Sequence, residues 1–213
     1  MIGKRKIFAS LAVVLFFLCV LGLSFYFGRS GRIFLNRPKV IFVDRPAEAL
    51  RVWKSFGVRG RILVLFDRTN RMGGDEGAEA FSVALPGAST ATDFNYVDLA
   101  IRDNTVRKVW HVIPDRQWEE AAGNLNRNPL ARRHGGVFSL VLTSTEFSIT
   151  KPEGLPVTAE PVLLNMNGEA LSFHDYEAIL SLMEKGAFRP DVVVISGDVP
   201  EEIRRKIGRN ESR

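Results

Sequence analysis

The chain has 213 residues, 46% of them hydrophobic and 25% charged. That composition excludes a disordered chain, and the length suffices for one domain that folds without disulfides or structural metals. Of the 29 basic residues Lys4, Arg5 and Lys6 form a terminal cluster, leaving 26 against 24 acidic residues elsewhere, a balance that speaks against a nucleic-acid-binding face.

The first predicted element is a membrane span. From Ile7 to Gly28 there are 22 residues without a charge, and fourteen of them are Leu, Ile, Val or Phe. A helix of that length reaches about 33 Å, enough for a hydrocarbon core of about 30 Å. At the centre of a bilayer such residues favour insertion by about 4 kcal/mol or more in total. The run has no polar stripe, unlike a core helix, and exceeds the apolar region of a cleaved signal peptide. Cys19 is the only cysteine; Phe17 and Leu18 before it do not make a lipoprotein signal. Residues 1–6 are expected to stay inside as a basic tail, 7–28 to act as a signal anchor, and the soluble domain to lie outside the cytoplasm. Arg29, Arg32, Arg37 and Lys39 follow the span, so the positive-inside count is nearly even and the reverse topology stays open.

Residues 29–38 read as a basic linker, 39–208 as an α/β domain and 209–213 as a tail. Val40–Val43 reads as a strand. Pro46–Phe56 follows as a helix with Ala49, Leu50, Trp53 and Phe56 on one face, and Gly57 is its stop. Arg61–Phe66 is an unbroken apolar strand of the kind covered on both faces in parallel sheets, and the polar stretch 68–80 is a loop. Tyr96–Ile101 is expected as a short helix, Lys108–Ile113 as a strand ended by Pro114, and Gln117–Ala122 as a helical turn. Val137–Thr143 and Glu146–Thr150 suggest a hairpin or two edge strands. Pro161–Leu164 is a strand, His174–Lys185 a helix, Asp191–Ile195 a strand and Pro200–Ile207 a last helix. The alternation predicts an α/β fold with a mostly parallel sheet and helices on both faces.

In such sheets ligands sit beyond the carboxyl ends of the strands. Here those ends carry Asp44, Asp67 to Met72, Pro114 and Asp115, Asn165 to Glu169, and Ser196 to Asp198. No phosphate-binding loop and no G-x-S-x-G elbow is present. His111, His134 and His174 are dispersed, and each has an ordinary reading: within a strand, in a basic loop, and beside Asp175 at a helix start. The Arg127, Arg132, Arg133 and the Arg204, Arg205, Lys206 groups read as solvated surface.

Four segments stand out in chain order: Arg45 to Trp53; Asp67-Arg68-Thr69-Asn70-Arg71-Met72; Asn95 to Ile101 followed by Trp110 to Pro114; and Asn165-Met166-Asn167-Gly168-Glu169-Ala170-Leu171. Together they resemble an uncharacterised branch of the arginase–deacetylase (ureohydrolase-like) superfamily. Its members carry a histidine before a tryptophan-bearing helix, a D-A-H-x-D motif, an N-F-(I/V)-x-x-A-I segment and a D-x-D-x-x-x-F motif. The resemblance implies a three-layer arginase-like fold and, in active members, a divalent metal that activates water for attack on a C–N bond. The matching positions here are Asp67, Thr69, Arg71, Asn165 and Asn167, with Pro46 where the first histidine would stand, so a single carboxylate remains. A divalent ion stripped of water needs anionic or imidazole ligands. Neutral amides and the Arg71 guanidinium do not supply them, and Glu169 adds little.

The expectation is therefore a non-catalytic pseudoenzyme with no metal and no cofactor. Its binding pocket is drawn from Asp67, Thr69, Arg71, Asn165, Asn167 and Glu169, and its partners are the bilayer, through residues 7–28, and a protein or envelope component. The alternative is a divergent hydrolase of the same superfamily using Asp67 with Glu169, Asn165, Asn167 or His174. A third reading is a cytoplasm-facing domain that recognises an anionic surface.

Overall fold

The computed structural model describes residues 38–68, 90–142 and 145–211. The predicted span 7–28, the tail and most of the linker before Pro38, and the site candidates Thr69 and Arg71 lie outside the described residues. Among the described residues no helix is long and apolar enough to cross a membrane.

Eight strands form one sheet: β1 (Lys39–Val43), β2 (Arg61–Phe66), β3 (Val106–Val112), β4 (Arg132–His134), β5 (Val137–Leu142), β6 (Thr145–Thr150), β7 (Pro161–Asn167) and β8 (Arg189–Ser196). Their order is β1-β8-β7-β2-β3-β6-β5-β4. The six strands from β1 to β6 in that order run parallel, and β5 and β4 extend the sheet antiparallel at one edge. Among the described residues five α-helices accompany them: α1 (Glu48–Ser55), α2 (Tyr96–Arg102), α3 (Asp115–Arg127), α4 (Phe173–Glu184) and α5 (Glu201–Glu211). The alternating pattern thus gives the mostly parallel α/β sheet that it predicts.

Period-2 alternation along the strands sorts the core into two layers. Leu63, Leu65, Val109, Leu163, Val192 and Val194 face one way and pack on Ala49, Leu50 and Trp53 of α1, Tyr96, Val97 and Ala100 of α2, and Trp118, Ala122 and Leu125 of α3. Ile62, Val64, Phe66, Val162, Leu164, Met166, Val193 and Ile195 face the other way, onto Tyr176 and Ile179 of α4 and Ile203 and Ile207 of α5. Each large side chain removed from water contributes about 1.5–3 kcal/mol.

Several boundaries differ from the sequence expectation. The expected turn at Gln117–Ala122 is a helix of 13 residues, because Trp118, Ala121, Ala122 and Leu125 repeat at helical spacing and bury one face. His134 lies in β4 rather than in a loop. β7 continues to Asn167, since Asn165, Met166 and Asn167 keep pairing with Val194, Ile195 and Ser196 of β8.

Helix ends follow local chemistry. Gly57 has φ +63° and its N–H donates to the Lys54 carbonyl at 2.9 Å, so α1 closes in the left-handed conformation that glycine adopts without strain. α4 opens with a capping box, in which Ser172 and Asp175 exchange backbone and side-chain hydrogen bonds.

Candidate functional site

The crossovers locate the site. From β2 the chain moves through α2 to β3 on one side, and from β7 it moves through α4 to β8 on the other. Right-handed crossovers in opposite directions place their helices on opposite faces of the sheet. The neighbouring carboxyl ends of β2 and β7 are therefore where the chain direction switches, the position at which open α/β sheets take ligands.

Sequence periodicity supplies the side chains there. Continuing each row of the α1–α3 face by two residues leads from Leu65 to Asp67, from Val109 to His111, from Leu163 to Asn165 and Asn167, and from Val194 to Ser196. The apolar layer thus ends in a polar one. Asp67, His111, Asn165 and Ser196 are fully buried, and Asn167 is 3% exposed. Tyr96, also fully buried, reaches this layer from α2 with its ring 6.0 Å from that of Trp53.

The layer is tied together by hydrogen bonds. Asn167 Nδ2 donates to Asp67 Oδ1 at 3.2 Å, joining residues 100 positions apart. His111 Nε2 lies 2.8 Å from the Asp67 carbonyl oxygen; a carbonyl only accepts, so this nitrogen carries the proton. Asn167 Oδ1 accepts from the Glu169 N–H at 3.2 Å. The Asn165 amide donates to the Tyr96 hydroxyl, and its oxygen is buried without a partner among the described residues. Burying polar groups in this number costs stability unless each is matched, so the layer is not explained by packing.

Glycine makes the strand ends meet. A Cβ on Gly168 would stand 2.6 Å from the Asp198 carbonyl oxygen and 2.7 Å from that of Ser196. Only glycine lets the β7 end lie against the β8 end this closely, and the Gly168 N–H uses that approach to donate to the Ser196 carbonyl at 2.7 Å.

Beside the buried layer lies an open cleft of about 420 Å³ at the carboxyl ends of β1 and β8, lined by Phe42, Val43, Asp44, Glu169, Gly197, Asp198 and Arg204. The Arg204 guanidinium sits over the Phe42 ring at 4.6 Å. Of the sequence candidates, Asp67, Asn165 and Asn167 come together, whereas the Glu169 side chain lines the cleft. His174 is exposed at the start of α4. From sequence, His111 has an ordinary place within a strand, while Ser196, among the strand ends, and Tyr96, in the Asn95–Ile101 segment, fall outside the candidate pocket. Their signal was present, since His111 keeps step with Val109, but strand neighbours cannot be read from one row.

Asp67 Oδ1 accepts from the Asn167 amide, and His111 holds its proton on Nε2, toward the Asp67 carbonyl. Among the described residues no three His, Cys, Asp or Glu side chains converge as a metal site would require. No family model, no curated protein and no solved structure matches the chain.

Proposed function

We propose that this protein is a non-catalytic binding module: an arginase-like α/β domain, tethered outside the cytoplasm by the anchor at 7–28, whose strand-end site has exchanged metal ligation for an amide network. The single observation that carries this reading is the hydrogen bond from Asn167 to Asp67. It commits an oxygen of the one carboxylate left at the motif positions to a neutral side chain. Two further features support it. Asp67, which opens the segment resembling D-A-H-x-D, and Asn165 to Asn167, from the segment resembling D-x-D, lie at the carboxyl ends of the adjacent strands β2 and β7, where two halves of one site have to meet. The neighbouring cleft offers three carboxylates and a guanidinium, a surface for polar recognition of a protein or envelope component.

The test is a thermal-shift titration of the full chain in a non-ionic detergent with manganese, zinc and magnesium. Ligands that bind only the folded state raise its stability by mass action. The binding-module reading expects midpoints unchanged to within about 1 °C, because a site without affinity gives no linkage. A shift of several degrees with one of these ions, lost in Asp67→Ala, identifies a divergent hydrolase instead. An export-dependent reporter fused after Arg213 is expected to be active; an inactive reporter reverses the topology.

A further inference from the structure

A second surface lies at the antiparallel edge of the sheet. β4 is the terminal strand, so among the described residues no strand uses its outer side. Antiparallel ladders alternate between residues bonded inward and residues whose N–H and C=O point away. At least one of Arg132, Arg133 and His134 therefore presents an unused donor and acceptor to the open side. All three residues are exposed, so the edge is accessible.

The chemistry around this edge is basic and apolar. Arg127 ends α3, and its guanidinium donates to the uncharged Asn124 side chain. Arg133 donates to the Gly135 carbonyl at 3.0 Å and stacks over Phe138 at 5.4 Å. Neither they nor Arg132 forms an ion pair among the described residues. By contrast, Arg61 pairs with Asp191 at 3.0 Å and Lys108 with Glu146 at 2.8 Å. Leu130, two residues before β4, is a large apolar side chain at 64% exposure.

We propose that the β4 edge docks an extended acidic segment of a protein partner, which adds to the sheet as a ninth strand. Strand addition takes its affinity from main-chain hydrogen bonds and its specificity from alternate side chains. Here the unused backbone groups of β4 supply the first. Unpaired Arg127, Arg132 and Arg133 select carboxylates, and exposed Leu130 selects an apolar residue between them. A phosphate-bearing surface would meet the arginines but leave the strand edge unused, so a polypeptide matches more of the surface. This inference is independent of the strand-end site.

The probe is a fluorescein-labelled octapeptide alternating Glu and Val, measured by anisotropy against the full chain in non-ionic detergent at low salt. Its control alternates Glu and Pro, with the same charge and no capacity to extend a sheet. The Glu-Val peptide is expected to bind at least about tenfold more tightly than the control. The Arg132→Glu/Arg133→Glu double variant is expected to lose about tenfold or more, with Arg132→Gln/Arg133→Gln as the milder pair should the first not fold. Equal affinity for the two peptides overturns the proposal in favour of a plain anion patch. So does an absence of binding at about 1 mM peptide. Binding to phosphatidylglycerol vesicles that the double variant abolishes, with neither peptide bound, assigns the surface to lipid instead.

Discussion

Replacing Asn167 with Asp tests the buried contact directly. In the native protein an amide N–H meets Asp67 Oδ1 at 3.2 Å; Asn167→Asp puts a second carboxyl there without changing the shape of the side chain. Two ionised oxygens at that distance repel by about 5 kcal/mol at an effective dielectric constant of about 20. The fold avoids this by holding a proton on the introduced carboxyl, whose O–H then replaces the lost N–H donor. Its pKa is therefore raised in the folded state above the unfolded value of about 3.9. A raised acid contributes full stability below its unfolded pKa and loses it as pH climbs towards the folded pKa, at about 1.4 kcal/mol per pH unit. The variant should match the native protein near pH 4 and fall behind it by about 4 kcal/mol at pH 7. For a domain of this size that is a drop in melting midpoint of about 8–16 °C. Circular dichroism melts of both proteins from pH 4 to pH 8 give the difference directly. A difference that stays flat across this range would show that Asp67 and residue 167 do not meet in a buried contact.

Three further outcomes follow from named contacts. Gly168→Ala forces a methyl against two backbone carbonyls and should cost about 1–3 kcal/mol in chemical denaturation; an unchanged midpoint would mean that the strand ends are looser than described. Tyr176 is 1% exposed, its hydroxyl has no partner among the described residues, and burial pushes its pKa up to about 12. Deleting that hydroxyl in Tyr176→Phe removes an unmatched polar group, so stability should hold or rise by about 1 kcal/mol, and a loss of similar size refutes the assignment. Burial acts to raise the Asp103 pKa, yet hydrogen bonds from Lys54 and Thr105 hold it below the ordinary value of 3.8. A lowered acid contributes stability above its unfolded pKa and loses it in acid. Asp103→Asn should therefore be the less stable protein at pH 7, with the gap closing below about pH 3; a gap that widens in acid has the sign wrong.

Much of the architecture was legible because it is written in local pattern. Arg61–Phe66 is an unbroken apolar run and forms a strand with those limits, since a central parallel strand buries both its faces. The hairpin expected from Val137 and Glu146 onward forms because the two alternating runs are close in sequence and can pair antiparallel. β4 was not legible: Arg132, Arg133 and His134 are exposed and carry no hydrophobic alternation, and only pairing with β5 makes them a strand.

By itself the sequence determined the alternation of strands and helices and the amphipathic faces of α1 and α4. The tertiary structure alone decided the order of the strands and therefore the site. Apolar periodicity tells a strand which face to bury but not which strand lies beside it, because neighbouring strands in this sheet are interchangeable runs of Val, Ile and Leu. Only the packed sheet brings Asn167 onto Asp67, and only the same packing leaves Glu169 in the cleft and β4 at an open edge.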